Sequence, residues 1–280
     1  MKPVDLELPT TIHAPAKVNL FLHIIGKRSD GFHYLDSGVI FTTFGDRIII
    51  DKAPIDKIYI TGPFAKNLEN NLGENICTHC LNDFRKAGGT CGPLKLIIEK
   101  NIPVGGGLGG GSTNAAALLM WLYKHTSNSL SQKSLYDLAI KLGADVPVCL
   151  DSSPARLRGI GECVSPLAID GQEFILLANP KKQVSTKDVF SKVSSHPRIV
   201  KRKSPASGTK KSISDWVKYG NDLEEVASQI IPEIGTLKQI LKDQKGAKEV
   251  GMSGSGATCF ATFSSEMDCV PATQIILSRG

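Results

Sequence analysis

Residues 102–117 read IPVGGGLGGGSTNAAA, with six glycines between Gly105 and Gly111 and a single Leu108 among them. Glycine loses more conformational freedom on folding than any other residue, so a chain that concentrates it needs its bare backbone there. Upstream, LKLIIEK (94–100) reads as a strand closed by Asn101-Ile102-Pro103. Downstream, STNAAALLMWLYKH (112–125) is a strong helix sequence with Ser112 or Thr113 expected near its N-cap. Strand, glycine loop and helix N-terminus together are the physical recipe for an anion site. Free N–H groups point outwards, the helix dipole adds positive potential, and a phosphate approaches closely where no Cβ stands. A hinge, or close packing of loop on helix, is the structural alternative.

The type of loop narrows the reading. GxxxxGK[ST] is excluded, because no lysine follows Gly110 or Gly111. GxGxxG matches at Gly105, Gly107 and Gly110, but so dense a glycine run satisfies many patterns. The dinucleotide fingerprint also wants an acidic residue about 20 positions on. That region is WLYKHTSNSLS, helix and loop without an acid.

The bulk numbers bound the class. A chain of 280 residues with 41% hydrophobic and 21% charged residues describes a soluble globular protein with a substantial core. No apolar run approaches the roughly 20 residues that span a bilayer, and the N-terminus resembles neither a secretory signal nor a transit peptide. A cytoplasmic protein is the expectation. The seven cysteines are odd in number and scattered, which suggests reduced thiols. Cys77 and Cys80 have the spacing of half a zinc site, but no second pair follows at zinc spacing. They read as small buried hydrophobes on one helix face. The net charge of +6 is concentrated in residues 198–211, RIVKRKSPASGTKK, which carry six basic residues and no acidic one. The composition is that of a solvated insertion, and no interleaved aromatics point to nucleic acid.

Along the chain, strands are expected over 18–25, 39–44, 47–51 and 57–61, the second and third split by Phe44-Gly45-Asp46. Helices are expected over 74–86 and 132–142, the latter closed by Gly143. Short strands follow over 148–150, 156–158 and 173–178, then a mixed half with a Gly/Ser cluster at 251–256, a strand over 257–263 and a terminal helix. The order predicts an α+β protein of two lobes, divided near residue 160 into 1–160 and 161–280.

Three segments resemble a family. PVGGGLGGGSTNA (103–115), PAKVNLFL (15–22) and GMSGSG (251–256) look like motifs of the GHMP small-molecule kinases, and the resemblance spans almost the whole chain. GKRSDGFH (26–33) and LGADVP (142–147) narrow it to members that phosphorylate a CDP-linked methylerythritol. The resemblance implies a two-lobed GHMP fold with the active site in the cleft between the lobes, and ATP with Mg²⁺ as cosubstrate and cofactor. Pro103, Gly105, Gly106, Gly107, Leu108, Gly109, Gly110, Gly111, Ser112 and Thr113 would then hold the ATP phosphates, with the two hydroxyls facing phosphate or Mg²⁺. Taken alone, Asp145 reads as a turn or capping residue and Lys17 as a surface lysine. The family makes them the catalytic pair, Asp145 accepting or orienting the hydroxyl proton and Lys17 stabilising charge. It also implies that His33 pairs with the cytosine edge while Phe32 stacks on the ring. Relatives often carry Tyr at the Phe32 position, so one hydroxyl contact is missing here. Phe190 matches the aromatic on the ring's other face, or is an ordinary core aromatic. Asn19, two residues from Lys17 on the same strand face, is expected to help fix substrate or Lys17. Asn75 and Lys100 fall in segments that line the adenine pocket of relatives. No Mg²⁺ ligand set, oligomeric state, nucleic-acid or membrane contact, or obligate protein partner is legible. The alternatives are another GHMP kinase (homoserine, mevalonate or sugar), a nucleotide-binding protein without catalysis, and an NAD-binding sensor.

Overall fold

The computed structural model describes residues 8–68, 75–126, 130–193, 205–206 and 208–278. Most of the basic stretch at 198–211, namely 198–204 and 207, lies outside the described residues. The first part of the chain forms β1 (Thr10–Lys27), β2 (His33–Lys52), β3 (Lys57–Thr61), α1 (Ile76–Lys86), β4 (Leu94–Glu99) and α2 (Gly110–His125). Then come α3 (Gln132–Leu142), α4 (Val146–Cys149), β5 (Ala155–Gly159), β6 (Cys163–Pro166), β7 (Phe174–Ala178) and α5 (Thr186–Val193). The last stretch holds α6 (Ile213–Val217), α7 (Glu224–Ile230), α8 (Glu233–Lys242), β8 (Ala247–Met252), β9 (Cys259–Phe263) and α9 (Glu266–Ser278).

Two compact units form, each from separate stretches of chain. The first takes Met1–Lys17, Thr42–Val104 and Gly109–Ser152; the second takes Val18–Phe41, Gly105–Leu108 and Ser153–Gly280. β1 pairs with β2, and each of these strands contributes to both units.

In the first unit, β4 lies between β3, its parallel neighbour from Lys57↔Lys95 to Thr61↔Glu99, and the end of β2, antiparallel from Arg47↔Glu99 to Lys52↔Leu94. The parallel pair is joined through α1, as a crossover connection requires. α2 packs against α1, α3 and α4, and its Ala115, Ala116, Leu118, Leu119, Trp121 and Leu122 are all buried. A helix apolar on several faces needs neighbours on several faces.

In the second unit, β9 sits between β7 and β8, both antiparallel to it, and all five of its residues are buried. Leu22 and Ile24 of β1 join β7, α5, α7 and α8 in one apolar core. Trp216 of α6 is 1% exposed and stacks on Phe21 at a centroid distance of 5.6 Å. The start of β2 pairs with β5, and β5 with β6. Across the β2–β5 ladder Arg156 grips Asp36 with both arms, Nε to Oδ1 at 2.7 Å and an Nη to Oδ2 at 2.6 Å, with both residues under 5% exposed.

Three expectations need correction. β1 begins eight residues earlier than the 18–25 strand, running through Pro15, and Phe44-Gly45-Asp46 does not break β2. Gly45 is there because the Ala14 carbonyl oxygen and Pro15 backbone pass too close for a Cβ, so it marks a close approach rather than a turn. Residues 148–150 are not a strand: β-branched valines flank Pro147, which is preset for a helix start, and a helical turn forms at α4.

The Asp36–Arg156 pair gives a stability test. Asp36→Ala leaves a buried guanidinium uncompensated and is expected to cost about 3–5 kcal/mol, lowering the urea midpoint. Asp137→Ala, which breaks an exposed pair with Lys133, is expected to leave the midpoint unchanged.

Candidate active site

The loop leaves β4 through Asn101-Ile102-Pro103 and enters α2 at Gly110. Gly105, Gly107 and Gly109 all take positive φ, +65°, +76° and +66°, a region that L side chains rarely enter. α2 starts earlier than expected, and neither Ser112 nor Thr113 caps it. Gly109 holds the N-cap position in the left-handed conformation with no side-chain cap. Thr113 donates its hydroxyl to the Gly110 carbonyl at 3.1 Å, and its N–H to Gly109 O is the first helical bond. The first-turn N–H groups ahead of it have no partner inside the helix. Gly111 is exposed, and a Cβ there would meet only Ile76 at 3.9 Å. The mouth of the helix is therefore open to an anion.

The loop tip is held from behind. Ser253, wholly buried, donates its hydroxyl to the Gly107 carbonyl at 2.8 Å and accepts the Asn19 N–H at 3.0 Å. Thr258 N–H reaches the Gly106 carbonyl at 3.2 Å. Asn221 Nδ2 bonds the carbonyls of Met252 and Gly254, fixing the 251–256 cluster from beneath. A Cβ on Gly107 would collide with the Ser253 carbonyl oxygen. The bareness of Gly107 thus serves packing against protein, where sequence reasoning expected it to spare a phosphate. Leu108 is 2% exposed and points its side chain into the core.

Lys17 and Asp145, 128 positions apart in the chain, meet in the first unit with Nζ 2.6 Å from Oδ2. The lysine is 5% exposed, not a surface residue, while the carboxylate is 43% exposed. Asp145 occupies the N-cap position of α4 yet makes no capping bond, because its carboxylate turns to Lys17. Lys17 also lies along the loop: a Cβ on Gly109 would sit 3.3 Å from its Cε. A cation, an accessible carboxylate and the open start of α2 thus share one place. Cys149 supports the turn, its thiol donating to the Asp145 carbonyl at 3.0 Å. Burial pushes that thiol up to about 12, as it does those of Cys77 and Cys259.

In the second unit, Gly31 at φ +93° turns the chain from β1 to β2, and Arg28 N–H bonds the Phe32 carbonyl at 2.7 Å. Phe32 is 61% exposed. The structure brings His33 and Phe190 together, ring centroids 5.4 Å apart, with Phe190 also packed against the core. Partial burial, aided by the charge of Lys27, holds the His33 imidazole below its usual pKa. Asn19 bonds Ser253 through its backbone and the Ser37 hydroxyl through Nδ2 at 2.9 Å, and its buried Oδ1 has no partner among the described residues. Asn75 caps α1, accepting the Cys77 N–H at 2.9 Å. No cluster of three or more His, Cys, Asp or Glu side chains suited to a metal occurs among the described residues, and Cys80 donates its thiol to the Ala115 carbonyl. Sequence reasoning missed the structural parts played by Ser253, Thr258 and Asn221. The Gly/Ser composition of 251–256 and its resemblance to a family motif signalled the first.

A model of the GHMP kinases N terminal domain matches residues 75–153, and one of the GHMP kinases C terminal domain matches 206–268. A 4-diphosphocytidyl-2-C-methyl-D-erythritol kinase of Agrobacterium fabrum is 41% identical over 266 residues, 90% of this chain and 86% of its own. The protein of the same name from Chelativorans is 37% identical over 95% of this chain and 91% of its own. The crystal structure of a 4-(cytidine 5'-diphospho)-2C-methyl-D-erythritol kinase superposes with a TM-score of 0.80 at 29% identity, covering 97% and 96% of the two chains. A homoserine kinase from Cytophaga hutchinsonii shares the fold alone, at TM-score 0.62 and 19% identity. The loop open at a helix start and its Lys–Asp pair are thus set in the fold of small-molecule kinases that phosphorylate an alcohol group. The chain belongs to the GHMP kinases and, among them, to the 4-diphosphocytidyl-2-C-methyl-D-erythritol kinase family.

Gly107→Ala is expected to lower kcat/KM for ATP at least about tenfold, through strain at positive φ and collision with Ser253. Gly111→Ala should be milder in the same assay. At pH 8, iodoacetamide is expected to modify exposed Cys163 while sparing Cys77, Cys149 and Cys259, as read by peptide mass spectrometry.

Proposed function

We propose that this kinase transfers the γ-phosphoryl group of ATP to the 2-position hydroxyl of 4-diphosphocytidyl-2-C-methyl-D-erythritol, in the non-mevalonate route to isoprenoid precursors. The reading rests on the names of its relatives. The observation that carries its chemistry is the Lys17–Asp145 pair lying against Gly109 at the start of α2. Phosphoryl transfer asks little covalent chemistry of a protein beyond positioning and charge stabilisation. The loop from Pro103 to Thr113 receives the triphosphate on the open N–H groups of α2. Asp145 orients the acceptor hydroxyl and takes its proton, and Lys17 offsets the negative charge shared between alkoxide and transferring phosphoryl group. Mg²⁺ prefers oxygen ligands and keeps several waters beside substrate phosphates, so the Ser112 hydroxyl in the first turn of α2 would suit it as one oxygen donor. When bound, it neutralises phosphate charge.

His33 and Phe190 provide the ring-binding surface for cytosine, with Phe32 at the exposed turn closing over it. A neutral imidazole presents one donor and one acceptor to the cytosine edge, and the lowered pKa of His33 keeps it neutral at neutral pH. In chain order, 1–160 carries the loop, Lys17 and Asp145, and 161–280 forms the second domain; the separate family models on either side support this division. The seven thiols, all free, suit a reducing cytoplasm. No described helix is long and apolar enough to cross a membrane.

Purified protein given ATP, Mg²⁺ and the CDP-linked substrate should release ADP, and should not do so with homoserine, mevalonate or galactose. ADP release confined to one of the latter would overturn the reading in favour of another GHMP kinase. Lys17→Ala and Asp145→Asn are each expected to lower kcat by about two or more orders of magnitude with ATP affinity nearly kept. His33→Ala should raise KM for the CDP substrate rather than lower kcat. In the unaltered enzyme that KM should hold steady near neutrality and rise only as pH falls below the ordinary histidine range, a dependence absent from His33→Ala.

A further inference from the structure

A second lysine–aspartate pair lies in the first unit, and the reaction described above does not use it. Asp46 is wholly buried and Lys100 is 4% exposed, and Lys100 Nζ bonds Asp46 Oδ2. The other oxygen, Oδ1, accepts the backbone N–H groups of Asn101 at 2.7 Å and Ile102 at 2.8 Å. Asn101 Nδ2 reaches the Gly45 carbonyl at 3.3 Å, tying the same segment to the same stretch of β2. Lys100 itself is fixed by its backbone, its N–H to the Thr61 carbonyl at 2.7 Å and its carbonyl to the Phe64 N–H at 3.2 Å. At the other end, Gly110 leaves room for this arrangement. A Cβ there would meet Ile102 Cγ2 at 3.0 Å and Lys100 Nζ at 3.2 Å.

A buried ion pair is a poor way to gain stability, because desolvation offsets the attraction. The geometry of this one points elsewhere. Its carboxylate closes over the two N–H groups that would otherwise be orphaned where the strand ladder stops and the loop begins. Its ammonium rests behind the first residue of α2. We propose that Asp46 is a positioning residue of the nucleotide phosphate site: it sets the direction in which residues 101–104 leave β4 and so the placement of the open N–H groups of α2. This rests on the assignment of that loop to ATP.

Two double variants isolate the effect without stranding a buried charge. Asp46→Asn with Lys100→Met removes both charges but keeps an acceptor for the Asn101 and Ile102 N–H groups. Asp46→Ala with Lys100→Met removes the acceptor as well. Both carry the same Lys100 change, so they are compared with each other: the second is expected to show a KM for ATP about tenfold or more above the first, since the N–H groups of part-buried Asn101 and buried Ile102 lose their partner. KM for the CDP substrate should stay the same in both. ATP dissociation constants from calorimetry should follow the same order, with melting temperatures confirming folded protein. Equal KM for ATP in the two double variants, or a parallel rise in both substrates' KM, would overturn the proposal. Unaltered protein that binds no ATP in the same calorimeter would instead overturn the assignment of the loop.

Discussion

The Ser253 hydroxyl, between the Gly107 carbonyl and the Asn19 N–H, is the contact on which the loop's shape depends. A phosphate loop faces two opposed requirements. Its N–H groups must stay unpaired to receive an anion, yet an unpaired backbone is free to wander and would lose that freedom on binding. The chain meets the second requirement by bonding the loop's carbonyls. Gly106 and Gly107 give their oxygens to Thr258 and Ser253, and the positive φ at alternate glycines turns the intervening peptides so that this is possible.

The Lys17–Asp145 pair follows similar logic. Asp145 stands where an N-cap residue stands, and a capping bond would have turned its carboxylate inward to α4. Lys17 draws it away. α4 is only one turn long and wholly buried, so core packing rather than capping holds the turn. The cost of an uncapped short helix is small beside the value of an aimed carboxylate.

How much of this was legible in the sequence depended on whether the signal was local. The loop, α2 and α3 could be read because glycine density, alanine and leucine content and a closing Gly143 act on near neighbours. The exact ends of β3 and α3 were legible for the same reason. Gly45 was misread as an interruption, since what places it is the approach of β1 to β2, which no short window contains. Val148 to Leu150 were misread as a strand because a β-branched and apolar run speaks for extended chain until the fixed φ of Pro147 and the burial of α4 are counted. Lys17 and Asp145 were legible only through family resemblance, for neither has a local mark of chemistry. Asp46 had none of either kind.

The chain's two tryptophans fall one to each compact unit. Trp121 is buried in α2, a few turns beyond the glycine loop, and Trp216 is stacked on Phe21 in the second unit. Nature has thus placed a separate fluorophore in each half of the molecule. Replacing either one by phenylalanine turns ordinary emission spectroscopy into a report on a single unit, so the order in which the halves melt can be read without any added label.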